Sequence, residues 1–361
     1  EADEVARRLN VPLSNEGRLS GAVLTAVQDV AKEGHVYALT GQVLNAVNKM
    51  IPGAEIPSSQ IAAAIKLLHE QKQLVVERNN EGTVLLYDPW THRMEVECAE
   101  ILSQRHAEAG EGLDKAYAED ELNKWAQGHQ VTLTETQRLA ALRVLTVPVS
   151  VFTGLPGTGK TTTLRAAVSV LKDASIPFLL VAPTGIAAKR LASVTGSDAS
   201  TVHRAFAAKG WKKDASERES TYVGIVGLEQ GTSDDDTKKQ EWGHGPENPH
   251  PAQVVIVDES SMLDLHMLYR LLQGTLPTCR MVFVGDPFQL PSVGAGDVLR
   301  DLAASKAFPH THLHEIFRQE GTSGIVVAAH DVHAGRMPDV EQPDFKLIEA
   351  YDDKIASLLV M

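Results

Sequence analysis

The chain has 361 residues, of which 43% are apolar, and a formal net charge of −13. No segment approaches the roughly 18 uncharged apolar residues that cross a bilayer, and the N-terminus lacks the apolar core of a signal peptide. We therefore expect a cytoplasmic globular protein with no membrane partner. Cys98 and Cys279 are the only cysteines and lie far apart, which argues against a disulfide framework or a structural zinc site. The acidic charge argues against a uniformly basic surface for nucleic acid, although local charge decides such binding.

The N-terminal region contains several segments in which apolar residues recur every three to four positions, the pattern of amphipathic helices. It also contains QLVVERNNEGTVLLYD, two β-rich runs around residues 79–82, where Asn and Gly tolerate the positive φ of a tight turn. Helices followed by a hairpin predict a winged-helix-like module at about residues 35–90. Such a module could bind DNA, or it could be a scaffold that packs on the rest of the chain.

From Val131 onwards, short apolar runs alternate with helical segments, the pattern of a parallel sheet covered by helices on both faces. The runs are PVSVFTG, PFLLVAP, AQVVIVDE and RMVFVGD. We expect the loops at the carboxyl ends of these strands to form one ligand crevice. A polar, acidic and glycine-rich stretch at residues 207–251 interrupts the alternation and is predicted to be an insertion.

The segment GLPGTGKT at residues 154–161 lies between an apolar strand and a helix, which is the context of a P-loop. Its glycines let successive backbone N–H groups point at phosphate oxygens, and the positive end of the helix adds to the attraction. Lys160 is predicted to reach the β- and γ-phosphates, and the Thr161 hydroxyl to bind Mg²⁺. The predicted nucleotide-binding residues of this loop are Gly154, Pro156, Gly157, Thr158, Gly159, Lys160, Thr161 and Thr162.

The segment VVIVDES delivers Asp258 and Glu259 to the end of another buried strand. There Asp258 can hold Mg²⁺ and Glu259 can polarise the attacking water, so together with the P-loop they predict a site of ATP hydrolysis. Gln289 follows a further strand, and its amide can contact the γ-phosphate or its water. Arg318 can neutralise phosphate charge, with a structural salt bridge as the alternative.

In this order, the segments resemble the motifs of superfamily 1 DNA helicases, and specifically the RecD-like branch that includes the exonuclease V alpha subunit. VAPTGIAAKRL and STVHR resemble motif Ia and the DNA-contacting motif after it, and they are more diagnostic than the P-loop. VDES, GDPFQLP and FRQ resemble motifs II, III and IV, and LTETQRLAAL resembles the Q motif, in which Gln137 would recognise adenine. EGHVYAL and the hairpin resemble the N-terminal region of stand-alone RecD-like proteins with a long N-terminus.

The resemblance implies ATP and Mg²⁺ as cofactors. It also implies an α/β fold: a P-loop RecA-like parallel sheet flanked by helices, preceded by a mainly helical region with a winged-helix-like hairpin.

The sequence departs from the family pattern in two ways. Ile186 stands where the family usually has Lys, and the motifs of the second RecA-like domain are not found. Because the motifs of the second RecA-like domain are not found, we expect the fragment alone to be weak or inactive. Because the chain begins with Glu1 and stops within an amphipathic pattern, we also expect both ends to be cut. The predicted domains are an N-terminal region at 1–128, a RecA-like motor at 129–345 with the insertion at 207–251, and the start of a second RecA-like domain at 346–361.

The segment from Val181 to Lys213 carries six Lys and Arg residues against one Asp. This local excess predicts a track for DNA phosphates, with a solvated basic helix face as the alternative. Drawing on the resemblance, the predicted DNA-binding residues are Thr184, Gly185, Lys189, Arg190, Thr201, His203 and Arg204. His203 could also be a core or capping histidine.

The insertion at residues 207–251 stands where RecD-like proteins carry a β-hairpin that splits the duplex. The alternative interpretation of this segment is a mobile loop.

His310, His312 and His314 alternate, so a strand would place all three on one face. No nearby acid or cysteine completes a metal site, and we do not expect one.

The resemblance implies an ATP-dependent DNA helicase that translocates 5′ to 3′ on single-stranded DNA and unwinds duplex junctions, with repair or recombination proteins as partners. One alternative is the helicase region of a conjugative relaxase or a recombination nuclease complex. Another is a single-stranded DNA-binding module that does not hydrolyse ATP. The presence of Lys160, Asp258 and Glu259 argues against this last alternative.

Overall fold

The computed structural model describes residues 15–51, 56–108, 112–206, 243–315 and 324–338, with residues 8, 11, 12 and 344. These residues form a small antiparallel sheet with helices, followed by a six-stranded parallel sheet. Arg318, the segment 346–361 and most of the predicted insertion, residues 207–242, lie outside the described residues. Within the described ranges, no helix has both the length and the apolar character that crossing a membrane requires.

The N-terminal module alternates helices and strands around its own core. Its elements are α1 (Glu16–Lys32), β1 (Ala38–Leu39), α2 (Thr40–Met50), α3 (Ser58–Glu70), β2 (Val75–Arg78) and β3 (Val84–Tyr87). The strands form an antiparallel sheet in the order β1-β3-β2. Leu19 and Val23 of α1 share a core with Val43 of α2 and Ile61 of α3. The predicted hairpin is confirmed, and the core of the module extends upstream of the predicted residues 35–90 because it includes the apolar face of α1.

The turn between β2 and β3 has the chemistry that its sequence predicts. The side-chain Oδ1 of Asn79 accepts hydrogen bonds from the backbone N–H groups of Glu81 (3.0 Å) and Thr83 (2.9 Å). Gly82 adopts a φ of +81°, a left-handed conformation that a residue without Cβ reaches at little cost. The Asn side chain and the Gly backbone therefore set the register of the hairpin together.

The parallel sheet and its helices occupy the rest of the chain. The elements are α4 (Pro89–Glu108), α5 (Lys115–Gly128), α6 (Glu135–Thr146), β4 (Val149–Gly154), α7 (Lys160–Asp173), β5 (Phe178–Ala182), α8 (Gly185–Thr195), β6 (Ala199–Thr201), α9 (Val202–Phe206), β7 (Val254–Val257), a 3₁₀ turn (Ser260–Met262), α10 (Leu265–Gln273), β8 (Arg280–Gly285), α11 (Val298–Ser305), β9 (His310–Leu313) and α12 (Gly324–His333). All neighbouring strands are parallel, in the order β6-β5-β7-β8-β4-β9. The predicted α/β fold is therefore confirmed.

The central strands β4, β7 and β8 are buried along their whole length, and β7 is apolar throughout. In β7, Val255 and Val257 belong to the core on one face, whereas Val254 and Ile256 belong to the core on the other. Successive side chains of a strand point to opposite faces, so a strand covered on both sides favours apolar residues at successive positions. Each such aliphatic side chain contributes about 1.5–3 kcal/mol when fully buried.

Helices α4 and α5 belong to the core of the parallel sheet, although the sequence assigns them to the N-terminal region. Met94, Cys98 and Leu102 of α4 pack on one face, and Leu122 and Trp125 of α5 pack on the other. The hydrophobic core of the parallel-sheet unit thus extends upstream of residue 128 and takes in residues 89–128. Cys98 and Cys279 are free, buried thiols, as the sequence predicts.

A buried arginine attaches α4 to the sheet. Arg105 is 3% exposed, and its guanidinium donates hydrogen bonds to the carbonyls of Leu272 (2.8 Å), Thr275 (3.2 Å) and Cys279 (3.4 Å). Leu272 and Thr275 lie at the carboxyl end of α10 and just beyond it, where a helix leaves carbonyls without an internal partner. Arg105 therefore closes this helix end and fixes α4 against it.

The N-terminal module contacts the parallel-sheet unit through hydrogen bonds and ring packing. The backbone N–H of Gly296, in the loop after β8, donates to the carbonyl of Gly34 at 3.0 Å. His92 of α4 lies 2.8 Å from a carboxylate oxygen of Glu77 and stacks edge-on against Tyr87. The module thus packs on the rest of the chain, as the scaffold interpretation requires.

Candidate active site

The predicted site residues come together at one edge of the parallel sheet. Strands β4, β5, β7 and β8 are neighbours or near neighbours, and parallel strands end at the same edge. The P-loop follows β4, Thr184 follows β5, Asp258 and Glu259 follow β7, and Gln289 follows β8. One edge of the sheet therefore carries the strand-end residues of the predicted hydrolysis site.

The P-loop has the backbone conformation that phosphate binding needs. Gly157 and Gly159 have φ values of +82° and +83°, which side chains with a Cβ rarely adopt. Gly159 also forms the N-terminal cap of α7, so the positive end of this helix faces the loop. The Thr158 hydroxyl donates to the Leu155 carbonyl at 2.8 Å and stabilises the turn from inside. Pro156 lies in the same turn, with Thr161 and Thr162 in the first turn of α7.

Lys160 lies inside the loop, close to several carboxylates. Its ammonium donates to the carbonyls of Gly154 (2.5 Å) and Leu155 (3.3 Å). Burial lowers the pKa of Lys160, while the charges of Asp286, Glu259 and Asp258 act in the opposite direction. The ammonium thus lies within the electrostatic influence of three carboxylates, and its predicted contact with the nucleotide phosphates stays a prediction.

Asp258 is a carboxylate whose charge is poorly compensated. Its backbone N–H donates to Val181 at 2.9 Å, which fixes the residue at the tip of β7. Burial, and next the charge of Glu259, raise the pKa of Asp258 from 3.8 to about 6. A hard divalent cation prefers oxygen ligands and would stabilise the charged form. Asp258 therefore fits the predicted role of a magnesium ligand, and Thr161, in the first turn of α7, follows the P-loop at the same edge of the sheet.

Glu259 has a strained backbone and an incompletely paired carboxylate. Its φ of 52° and ψ of 41° lie in the left-handed region, which costs a residue other than glycine about 1–3 kcal/mol. The side chain is 23% exposed, and its Oε1 lies 4.0 Å from Nη1 of Arg190. Its Oε2 is buried and has no hydrogen-bond partner among the described residues. This oxygen has the free acceptor capacity that orienting a water for attack requires.

Two residues that the sequence did not single out help to build this edge. Ser260 is fully buried. Its hydroxyl donates a hydrogen bond to the Val257 carbonyl at 2.8 Å and accepts one from the Val284 N–H at 3.3 Å. These two bonds connect the ends of β7 and β8. Asp286 is 2% exposed and accepts from the Phe288 N–H at 3.0 Å. Its position after β8 matches that of Asp258 after β7, and this repeated placement is the sequence signal that could have identified it.

The structure positions Gln289 but not Arg318. The backbone N–H of Gln289 donates to the Asp286 carbonyl at 3.2 Å, in the turn after β8, and its side chain is exposed at the rim of the crevice. The predicted contact between the Gln289 amide and the γ-phosphate stays a prediction. Arg318 lies outside the described residues.

Gln137 lies beneath the P-loop and is 3% exposed. Its Nε2 donates to the Thr158 carbonyl at 3.1 Å, and its Oε1 accepts from the Thr134 N–H at 3.1 Å. The second bond belongs to the capping box at the start of α6. Each end of the amide thus makes a hydrogen bond inside the protein, because α6 approaches the P-loop. The adenine contact that the resemblance implies stays a prediction.

Replacing Gln137 by alanine is expected to weaken ATP and GTP binding equally. The change leaves the Thr158 carbonyl and the Thr134 N–H without partners, which costs about 1–3 kcal/mol for a buried polar group and loosens the loop for either nucleotide. Isothermal titration with both nucleotides measures the effect. Arg138→Ala is the matched control, because the side chain of this exposed neighbour on α6 points to Asn123, with which it forms a hydrogen bond. A selective loss of ATP binding would instead show that Gln137 recognises adenine.

The predicted DNA residues line the adjacent part of the same edge. Ala182 of β5 pairs with Thr201 of β6, so the segments after these strands lie side by side. Thr184 caps α8, and its hydroxyl oxygen accepts from the Ala187 N–H at 3.3 Å. The Thr201 hydroxyl likewise accepts from the Arg204 N–H at 3.2 Å. Gly185, Lys189, Arg190 and Arg204 are exposed and His203 is half-buried. The two threonines therefore shape the helix starts, and the cations remain accessible to a polyanion.

The alternating histidines support the strand that carries the P-loop. His310 Nε2 and His312 Nδ1 each lie 2.9 Å from the Thr153 hydroxyl oxygen. Thr153 is buried and immediately precedes Gly154. His314 extends beyond the strand, 4.0 Å from Glu315. Two of the three histidines thus hold β9 to β4 beside the crevice.

Comparisons with known proteins agree with the resemblance that the motifs indicate. The ATP-dependent RecD2 DNA helicase of Deinococcus radiodurans is 29% identical, over 93% of this chain and 43% of its own length. The RecBCD enzyme subunits RecD of Haemophilus influenzae and Mycolicibacterium smegmatis are 34% and 36% identical, over 50% and 46% of this chain and 28% and 30% of their own lengths. The chain spans less than half the length of these curated relatives. Among solved structures, the Pif1 helicase from Candida albicans matches with 23% identity and a TM-score of 0.38, over 58% of this chain and 45% of that chain.

These relatives confirm the similarity to RecD-like proteins. The model of the AAA domain family matches residues 132–354, which contain the P-loop and both strand-end acids. Because this match covers more than half of the sequence, the chain belongs to the AAA domain family.

Proposed function

We propose that this chain is the ATP-hydrolysing part of a DNA helicase that moves 5′ to 3′ along single-stranded DNA and opens duplex junctions. The observation that carries the proposal is the shared edge of the sheet. There Lys160 faces Asp258, Glu259 and Asp286, and Arg190 on the helix after β5 approaches Glu259. A site for phosphoryl transfer and a basic surface for a polyanion are thus continuous. The names of the RecD2 and RecD relatives support this function.

The roles of the site residues follow from their positions. The P-loop N–H groups and Lys160 bind and neutralise the β- and γ-phosphates of ATP. Asp258 and Thr161 hold Mg²⁺, which supplies charge neutralisation at the same phosphates when it is bound. Glu259 uses its free Oε2 to orient and polarise the attacking water. We assign Gln289 to the γ-phosphate side of the crevice, and Arg318 to a further cationic contact.

We propose that the DNA backbone follows Thr184, Gly185 and Lys189 and then crosses to Arg204, with Thr201 and His203 between them. The insertion at 207–251 is proposed to separate the duplex, and residues 346–361 to begin a second RecA-like domain. The motor unit takes in α4 and α5, since both pack on its sheet. Repair or recombination proteins are the proposed partners of the complete protein.

Hydrolysis and unwinding by the complete protein test this function. We expect single-stranded DNA to stimulate ATP hydrolysis in the presence of Mg²⁺, and we expect unwinding of duplexes with a 5′ single-stranded tail but not of those with a 3′ tail. Unwinding from the 3′ tail alone would overturn the polarity. DNA binding without any hydrolysis would overturn the motor and favour a binding module.

A further inference from the structure

One ion pair connects the proposed DNA surface with the hydrolysis site. Arg190 lies on α8, in the segment expected to contact DNA, and Glu259 is the residue expected to activate water. Their Nη1 and Oε1 atoms are 4.0 Å apart, with the Arg190 side chain 70% exposed and the Glu259 side chain 23% exposed. The pair exists because β5 and β7 are neighbours, so α8 starts next to the residues that follow β7. Arg190 can therefore meet a DNA phosphate on its open side while its other side faces Glu259.

The pair has the properties of a restraint that is readily released. A largely exposed ion pair stabilises its partners only weakly, so a DNA phosphate, which accepts bidentate hydrogen bonds from a guanidinium, competes well for Arg190. While the pair persists, the positive charge of Arg190 draws the Oε1 of Glu259 towards α8. Because the left-handed backbone at Glu259 fixes the base of the side chain, the carboxylate position depends on what its oxygens contact.

We propose that Arg190 restrains Glu259 in the absence of DNA, and that a DNA phosphate draws Arg190 away and frees the carboxylate to orient the attacking water. Arg190 is then a positioning residue that couples DNA binding to ATP hydrolysis, in addition to contacting the DNA backbone. This inference rests on the proposed function. It deepens that function by naming the contact through which DNA stimulates hydrolysis.

The test compares Arg190→Gln with the wild type in the complete protein, with ATP and Mg²⁺ saturating. We expect kcat without DNA to rise about two- to fivefold, the factor that corresponds to losing an exposed ion pair. At saturating oligothymidine, kcat should match the wild type, so the stimulation ratio falls by the same factor. Arg190→Lys keeps the positive charge and should restore most of the low DNA-free rate.

Arg93→Gln is the matched control, because Arg93 forms an ion pair with Glu97 on α4 and the exposures of these two side chains, 64% and 26%, are similar to those of Arg190 and Glu259. The DNA-free rate of Arg93→Gln should equal that of the wild type.

The outcomes separate the coupling role from a simple DNA contact. If Arg190→Gln only raises the DNA concentration needed for half-maximal stimulation and leaves the DNA-free rate unchanged, Arg190 contacts DNA and does not restrain Glu259. A fall in the DNA-free rate would show that Arg190 supports Glu259, and would also overturn the proposal. If DNA does not stimulate hydrolysis by the wild type, the proposed helicase function fails. If DNA stimulates the wild type through another residue, the helicase function stands and only the coupling role of Arg190 fails.

Discussion

Lys160→Ala is expected to lower kcat for ATP hydrolysis by about 100- to 1000-fold, the range found when one preorganised charge-stabilising group is removed. The ammonium lies in the P-loop, on the carbonyls of Gly154 and Leu155. Without it, the phosphates of ATP would face Asp258, Glu259 and Asp286 with no lysine to offset their charge. Nucleotide affinity should therefore fall together with kcat. Steady-state hydrolysis with saturating single-stranded DNA and titration with a fluorescent nucleotide measure the two effects.

Lys172→Ala is the matched control for this variant. Lys172 lies in the last turn of the same helix α7, where its ammonium donates to the Gly196 carbonyl at 2.6 Å and its side chain is exposed. We expect hydrolysis close to the wild-type rate for this variant. If Lys160→Ala retained more than about a tenth of the wild-type rate, Lys160 would not supply the charge stabilisation that such a site normally provides.

Asp258→Asn is expected to stabilise the metal-free protein while abolishing Mg²⁺-dependent hydrolysis. Burial, and next the charge of Glu259, raise the pKa of Asp258 from 3.8 to about 6, so at neutral pH the folded state contains a carboxylate in an unfavourable environment. The difference between these two pKa values corresponds to about 3 kcal/mol. Asparagine removes the charge and with it the preferred ligand of Mg²⁺.

The pH dependence gives this prediction a definite sign. Between pH 4 and pH 6 the folded protein binds a proton at Asp258 that the unfolded chain has lost, so the contribution of this group to stability falls as the pH rises through that window. The unfolding free energies of Asp258→Asn and wild type should therefore be similar near pH 4. The variant should become the more stable protein above pH 6. Urea unfolding in EDTA across this range measures the difference.

Added Mg²⁺ should reverse the order. The cation stabilises the state that binds it, so the Tm of the wild type should rise with Mg²⁺ while that of Asp258→Asn changes little. Asp264→Asn is the matched control, because Asp264 caps α10 through an Oδ1 acceptor that asparagine also has; it should respond to Mg²⁺ as the wild type does. A wild type and an Asp258→Asn variant that respond equally to Mg²⁺ would remove Asp258 from the metal site.

Local pattern was enough to predict the elements that carry the site. The mainly apolar run around Val149 and the all-apolar run around Val254 predicted buried parallel strands, because a strand covered on both faces favours apolar residues at successive positions. The P-loop was equally predictable, since Gly157 and Gly159 are needed for the backbone of one short segment. Asn79 and Gly82 identified the hairpin turn for the same reason.

Contacts between distant segments were not predictable in this way. The place of Gln137 under the P-loop depends on how α6 packs, and the approach of Arg190 to Glu259 depends on β5 lying beside β7. The membership of α4 in the sheet's core follows from Arg105 and its three carbonyl partners far along the chain. No local periodicity encodes such pairings.

The sequence by itself therefore determined the strands, the helices, the phosphate-binding loop and the acids at the strand ends, because each depends on the burial or backbone geometry of a few consecutive residues. Only the tertiary structure decided which strands are neighbours, and with that which charged side chains share the crevice. The physical reason is that electrostatic and hydrogen-bonding interactions act over a few ångströms in space, whatever the separation of the residues in the chain.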